Sequence, residues 1–120
     1  AKFTMSMCVL GMAEELKPDG IAVNGLWPRT AIATAAVKNI LGGEELMNIS
    51  RKPEIMADAA YEIFNKNSED FSGNFCIDDL VLHDAGVKDF SHYADVPFDQ
   101  LALDFFLPVE TPLPDEIKNS

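Results

Sequence analysis

The residues able to do chemistry in this chain are few and scattered, so the first question is which of them the chain brings together. Its two histidines, His83 and His92, have no Cys or His neighbours at metal-ligand spacing, and no metal site is expected. Cys8 and Cys76 have neither that spacing nor the density of a disulfide scaffold, and both read as buried free thiols. The adjacent carboxylates Asp78 and Asp79 follow the apolar run Asn74 to Ile77, where turn and helix-cap duties suit them better than paired acid–base work. Arg29 has two possible duties: attracting an anionic group that the acidic surroundings otherwise repel, or forming an ordinary surface salt bridge. It lies in the segment Pro28-Arg29-Thr30-Ala31-Ile32-Ala33-Thr34, which follows the apolar run Ile21 to Trp27. Ligands of open α/β sheets sit at the carboxyl ends of strands, so this loop is where a binding site is expected. Thr34 has the alternative duty of N-cap for a helix at Ala35, and Trp27 either lines a pocket or joins the core.

The elements that must position these residues follow from periodicity. Residues 2 to 17 contain no proline, and Met5, Val9, Met12 and Leu16 recur at helical spacing as a stripe expected to face a sheet. Thr4, Cys8 and Gly11 form a second stripe of small side chains that lets another helix approach closely. A helix apolar nearly all round is buried on several sides, so contact with a second subunit through helix 2–17 is expected. Pro18-Asp19-Gly20 makes a turn, and Ile21 to Trp27 lacks the alternation of a half-wet strand, which predicts a parallel strand covered on both faces. A short helical stretch near Ala35 to Leu41 is expected to stop at Gly42-Gly43, with 42 to 52 mobile. Pro53 and Glu54 then open a helix whose inner face is Ile55, Met56, Ala59, Ala60, Ile63 and Phe64. Phe75 to Ile77 predicts a second strand, followed by a short helix that Gly86 ends.

From Val87 onward the composition changes. Four of the seven prolines lie there, and two lysines stand against seven carboxylates. Residues 87–120 read as an extension of the 1–86 unit, with Val96-Pro97-Phe98 and Leu101 to Leu107 strapped to its surface and the residues beyond Pro108 disordered. Over all 120 residues the net charge is −11, which opposes binding to nucleic acid or to anionic membrane surfaces. No apolar run approaches the ~20 residues of a membrane span, and the cytoplasm is the default compartment. Two parallel strands do not make a stable sheet; an N-terminal half preceding Ala1 is therefore expected as the partner of this chain.

Several of these strings together are similar to one family. Lys2 through Ala13-Glu14-Glu15-Leu16, then Gly20-Ile21-Ala22-Val23-Asn24 and Pro28 to Thr34, resemble the second half of short-chain dehydrogenases/reductases. Pro53-Glu54-Ile55-Met56-Ala57-Asp58 and Ser72-Gly73-Asn74-Phe75-Cys76-Ile77-Asp78 fall where that family places its next helix and last strand, with Asp78-Asp79 at its Asp-Gly-Gly corner. The resemblance implies the C-terminal half of a Rossmann-like, doubly wound parallel sheet, a three-layer α/β/α fold when complete. It also implies NAD or NADP as cofactor and a carbonyl or alcohol as substrate. Lys2 matches the family lysine that holds the nicotinamide ribose and assists a Tyr four residues earlier, which lies before Ala1. The Pro28 loop matches the family's Pro-Gly-x-x-x-Thr segment, implying cofactor contacts at Pro28, Ile32 and either Thr30 or Thr34. It departs from that pattern in two ways: Arg29 stands where Gly is usual, and Thr34 lies one position further along. The reading from a different class is a non-catalytic Rossmann-like module serving assembly.

Overall fold

The computed structural model describes residues 2–41, 43–104, 107–108 and 110–120, with the side chains of all but 40 and 41. Two of the apolar runs pair as parallel strands, β1 (Gly25–Trp27) and β2 (Phe75–Ile77). Gly25 stands opposite Phe75, Leu26 opposite Cys76 and Trp27 opposite Ile77. The register is set just upstream, where the Asn24 carboxamide accepts from the Asn74 backbone N–H at 3.0 Å and donates to the Phe71 carbonyl at 3.1 Å. Gly25 lets the two strands approach closely, since a Cβ there would meet the Phe75 ring at 3.1 Å and the ring would have to shift. Parallel strands need a long crossover, and it carries helices α2 (Gly43–Asn48) and α3 (Glu54–Phe64). Strand β2 runs directly into α4 (Asp78–Asp84), which packs on α3. Gly86, at φ 102°, ends α4, with its N–H donating to the His83 carbonyl and that of Val87 to Leu82, both at 3.0 Å.

Helix α1 (Lys2–Leu16) lies on the other side of the strands, and its inward line differs from the expected stripe. Ser6, Val9, Ala13 and Leu16 turn toward the sheet, whereas Met5 and Met12 are 61% and 43% exposed. Hydrophobicity is nearly uniform around this helix, so periodicity alone cannot choose its inner face, and the small-residue stripe Thr4, Cys8 and Gly11 faces outward. Ala13 Cβ is 3.6 Å from where a Cβ on Gly73 would stand. Phe3, Met7 and Leu10 are also exposed, and so is Cys8, which corrects the expectation of a buried thiol; Cys76 is buried.

The segment after the Pro28 loop is more ordered than its composition suggested. Residues Val37–Leu41 form a π-helical stretch, and the segment expected to be mobile holds α2 and ends in the buried pair Ser50 and Arg51. Gly42 lies outside the described residues, as do Phe105 and Phe106 of the expected strap. In α3, Ile55 and Ala59 are fully buried as the stripe predicts, but Phe64 at the end of the helix is 83% exposed.

The tail straps onto the domain at Val96, Phe98 and Leu101 as expected, and departs from expectation beyond Pro108. Short 3-10 turns at Ser91–Tyr93 and Phe98–Gln100 and a final helix α5 (Asp115–Lys118) wrap back onto α3 and α4. Phe90, Tyr93, Phe98, Leu101 and Ile117 join Ile55, Ala59 and Leu82 in one core, with Ile117 fully buried. The region beyond Pro108 is thus a structural strap. The Phe98 N–H donates to the Ser120 carbonyl at 3.0 Å, and His83 pairs with Glu116 at 3.1 Å. The Tyr93 hydroxyl donates to Asp58 at 2.5 Å; burial first, and then that carboxylate, push its pKa up.

Candidate functional site

The loop leaving the carboxyl end of β1 is held on both flanks by backbone hydrogen bonds. On one side the Ala31 N–H donates to the Ala102 carbonyl and the Asp104 N–H to the Arg29 carbonyl, each at 2.8 Å. On the other, the Arg51 N–H donates to the Ala31 carbonyl at 2.9 Å and the Ala33 N–H to the Arg51 carbonyl at 2.8 Å. Residues 29–33 therefore run as the middle line of a narrow ribbon, bridged to Leu103 antiparallel and to Arg51 parallel. Ile32 sits between the bonded residues with its side chain packed toward the core, and its own N–H and C=O make no hydrogen bond among the described residues. A donor and an acceptor on one residue are what a carboxamide needs.

The two candidate threonines take different places. Thr30 is fully buried and its hydroxyl donates to the Ala31 carbonyl at 2.8 Å, so the ribbon encloses it and the hydroxyl is committed within the chain. Thr34 is exposed, and its hydroxyl accepts from the Val37 N–H at 3.4 Å, the long cap that its N-cap reading anticipates. Pro28 is half-buried at the head of the loop. Lys2 is exposed on the first turn of α1. Trp27 is half-buried and lines a cavity of about 360 Å³ with Phe3, Ser6, Ile77 and Leu107. This cavity opens beside the first turn of α1 and the strand ends.

Beneath the loop lies a buried ionic cluster. Arg29 is 5% exposed, which corrects both the anion-attracting and the surface-pair readings: its Nε donates to Asp79 Oδ2 at 2.7 Å and its Nη2 to the Pro112 carbonyl at 2.7 Å. Arg51 Nη1 donates to the same Asp79 oxygen at 2.8 Å, and the guanidinium lies 5.5 Å from the centre of the Phe98 ring. Asp78 Oδ1 accepts from the backbone N–H groups of Asp79 at 2.7 Å and Arg29 at 3.1 Å, the turn duty expected of it. Asp79 has an ionic role instead of a capping one. Burial, reinforced by the Asp79 charge, pushes the Asp78 carboxyl up to about 6, against the two N–H donors and Arg51. Arg51 was missed from sequence. The available signal was that an acidic chain with many lysines has only two arginines, 29 and 51, the residue type suited to buried carboxylate pairs. His83 and His92 take no part in the loop, and among the described residues no group of His, Cys, Asp or Glu could hold a metal ion.

Comparison with known proteins finds relatives of the chain as a whole. Hydroxysteroid dehydrogenase-like protein 2 of Mus musculus is 56% identical over 107 residues, 89% of this chain and 21% of the relative. The protein of the same name from Bos taurus is 57% identical over the same share of this chain and 25% of its own length. A short-chain dehydrogenase from Mycobacterium thermoresistibile superposes with a TM-score of 0.79 at 51% identity, covering 93% of this chain and 40% of that one. A dehydrogenase candidate from Xanthomonas campestris gives 0.77 at 46% identity, over 87% and 38%. No family model matches the chain. The chain thus spans about a quarter of the length of the curated relatives it matches. The resemblance to short-chain dehydrogenases is carried by sequence and backbone together, and the fold is α/β with a parallel sheet, as expected.

Proposed function

From that relationship we propose that this chain supplies the C-terminal part of the nicotinamide site in an NAD(P)-dependent oxidoreductase acting on a carbonyl or alcohol. The observation that carries the reading is that, among the described residues, the N–H and C=O of Ile32 make no hydrogen bond on the loop at the end of β1, where the N–H and C=O of Ala31 and the N–H of Ala33 are committed to the ribbon. These two groups would hold the carboxamide, with Pro28 shaping the approach and the exposed Thr34 hydroxyl, rather than Thr30, available beside them. Lys2, exposed at the start of α1, would hold the ribose hydroxyls and, by its positive charge, favour proton loss from a Tyr one turn earlier. The bound cofactor supplies hydride exchange at its nicotinamide ring. The residues of this chain orient that ring and keep the proton donor in its working state. The 120-residue chain alone is expected to transfer no hydride.

The test is steady-state reduction of a panel of ketones and aldehydes by the full-length protein, with NADH and with NADPH. Lys2→Ala should lower kcat by about 10²–10⁴-fold and weaken cofactor binding with the fold unchanged. Full activity in Lys2→Ala, or a parent sequence with no Tyr one turn before Lys2, overturns the enzyme reading and leaves a Rossmann-like assembly module in its place. The exposed apolar side chains Phe3, Met5, Met7 and Leu10 on α1 support assembly in either case, as a homo-oligomer or against further parts of the same protein.

A further inference from the structure

Three segments remote in sequence converge on one carboxylate oxygen. Arg29 comes from the loop after β1, Arg51 from the link between α2 and α3, and Asp79 from the first turn of α4; they are 5%, 1% and 0% exposed. Both guanidinium groups donate to Asp79 Oδ2, at 2.7 and 2.8 Å, while Asp79 Oδ1 and Arg51 Nη2 are buried with no hydrogen-bond partner among the described residues. Such a half-satisfied group of charges is a poor way to gain stability, since desolvation opposes the Coulomb attraction. Its geometry has another consequence. Arg29 opens the 29–33 ribbon, and the Arg51 backbone is the flank that bonds Ala31 and Ala33. Fixing both guanidinium groups on one oxygen fixes the loop from its start and from its side, and leaves Ile32 between them with a backbone N–H and C=O that make no hydrogen bond among the described residues. The second arm of Arg29, on the Pro112 carbonyl at 2.7 Å, extends the same hold to the tail.

We propose that Asp79 is a positioning residue, which through Arg29 and Arg51 holds the backbone of residues 29–33 in the conformation that presents Ile32 to a nicotinamide. The nicotinamide clause rests on the functional reading above; the hold on the loop does not. Asp79→Asn keeps the size of the side chain and removes its charge. Arg29→Lys keeps the charge but replaces the planar fork, whose Nε and Nη2 serve Asp79 and the Pro112 carbonyl separately, with a single nitrogen.

Both variants would be made in the full-length protein and read in two ways. Without cofactor, hydrogen exchange at the Ala31 and Ala33 amides should accelerate about tenfold in Asp79→Asn and less in Arg29→Lys, while the Ala59 amide in α3 keeps its rate. With NADH and NADPH titrated at a temperature where every variant is folded, the dissociation constant should rise about tenfold, with turnover at saturating cofactor falling less. Unchanged Ala31 and Ala33 exchange, or acceleration of Ala59 in step with them, overturns the proposal, because a merely structural cluster loosens the whole core. An unchanged dissociation constant beside faster loop exchange overturns the nicotinamide clause. If the unsubstituted protein binds neither NADH nor NADPH, the functional reading fails, and the exchange experiment still decides whether Asp79 holds the loop. Should Asp79→Asn not fold, Arg29→Lys carries both readouts.

Discussion

Asp78 is fully buried beside a second carboxylate, with one oxygen bound to two backbone N–H groups and the other without a partner among the described residues. Its carboxyl is raised from 3.8 to about 6, chiefly by burial and then by Asp79. A raised acid means that the folded state keeps a proton which the unfolded state releases. Stability contributed here is therefore lost as pH rises from about 4 to about 6 and stays constant above that, a change of about 3 kcal/mol. Urea unfolding of the full-length protein and of Asp78→Asn should show the variant gaining about that much on the original between pH 4 and pH 7. A difference that does not change with pH would contradict the assignment. Residue types were legible in the sequence at this scale and their partners were not. Lys2, Pro28 and Ile32 could be placed at the end of a helix and the end of a strand. That Thr30 faces inward and Arg29 pairs beneath the loop depends on Asp79 and Arg51, contacts 28 to 50 residues away that local pattern does not encode.

Elements with one strong period were read correctly. Helix α3 follows its stripe from Ile55 to Ile63, and both strands lie inside the apolar runs assigned to them, although β1 takes only Gly25–Trp27 of the run from Ile21 and is half-buried where cover on both faces was expected. The tail was misread because prolines and carboxylates are also the composition of disordered chain. Phe90, Tyr93, Phe98 and Leu101 anchor its first part, and beyond Pro108 α5, acidic on its outer side, places Ile117 in the core shared by α3 and α4. Ile117→Ala should cost about 3 kcal/mol, the usual penalty for emptying a buried aliphatic site. Ending the protein after Pro108 would remove Ile117 together with the Pro112 and Ser120 carbonyls that bind Arg29 and the Phe98 N–H, and should destabilise at least as much. Calorimetry checks both, and a melting temperature unchanged by the truncation would return the tail to the status of a disordered extension.

At the scale of the molecule, the described residues carry two strands and a helix whose outer face is apolar. That face asks for a partner, and the full-length relatives are about four times as long as the matched region. Gly11 lies on this face with nothing within 4 Å of where its Cβ would stand. Gly11→Leu is therefore harmless to the chain's own packing and favours the helix, yet it should shift the full-length protein toward smaller species in sedimentation if α1 meets α1 of a second copy. An unchanged oligomer would count against that contact. The central claim is that α1 and the loop after β1 form one wall of a nicotinamide site. Its most direct test is a crystal structure of the full-length protein with NADH bound. The carboxamide is expected at about 3 Å from the Ile32 N–H and C=O and the ribose hydroxyls at about 3 Å from Lys2 Nζ. A nicotinamide bound away from residues 28–34, with Ile32 and Lys2 both uncontacted, would contradict it.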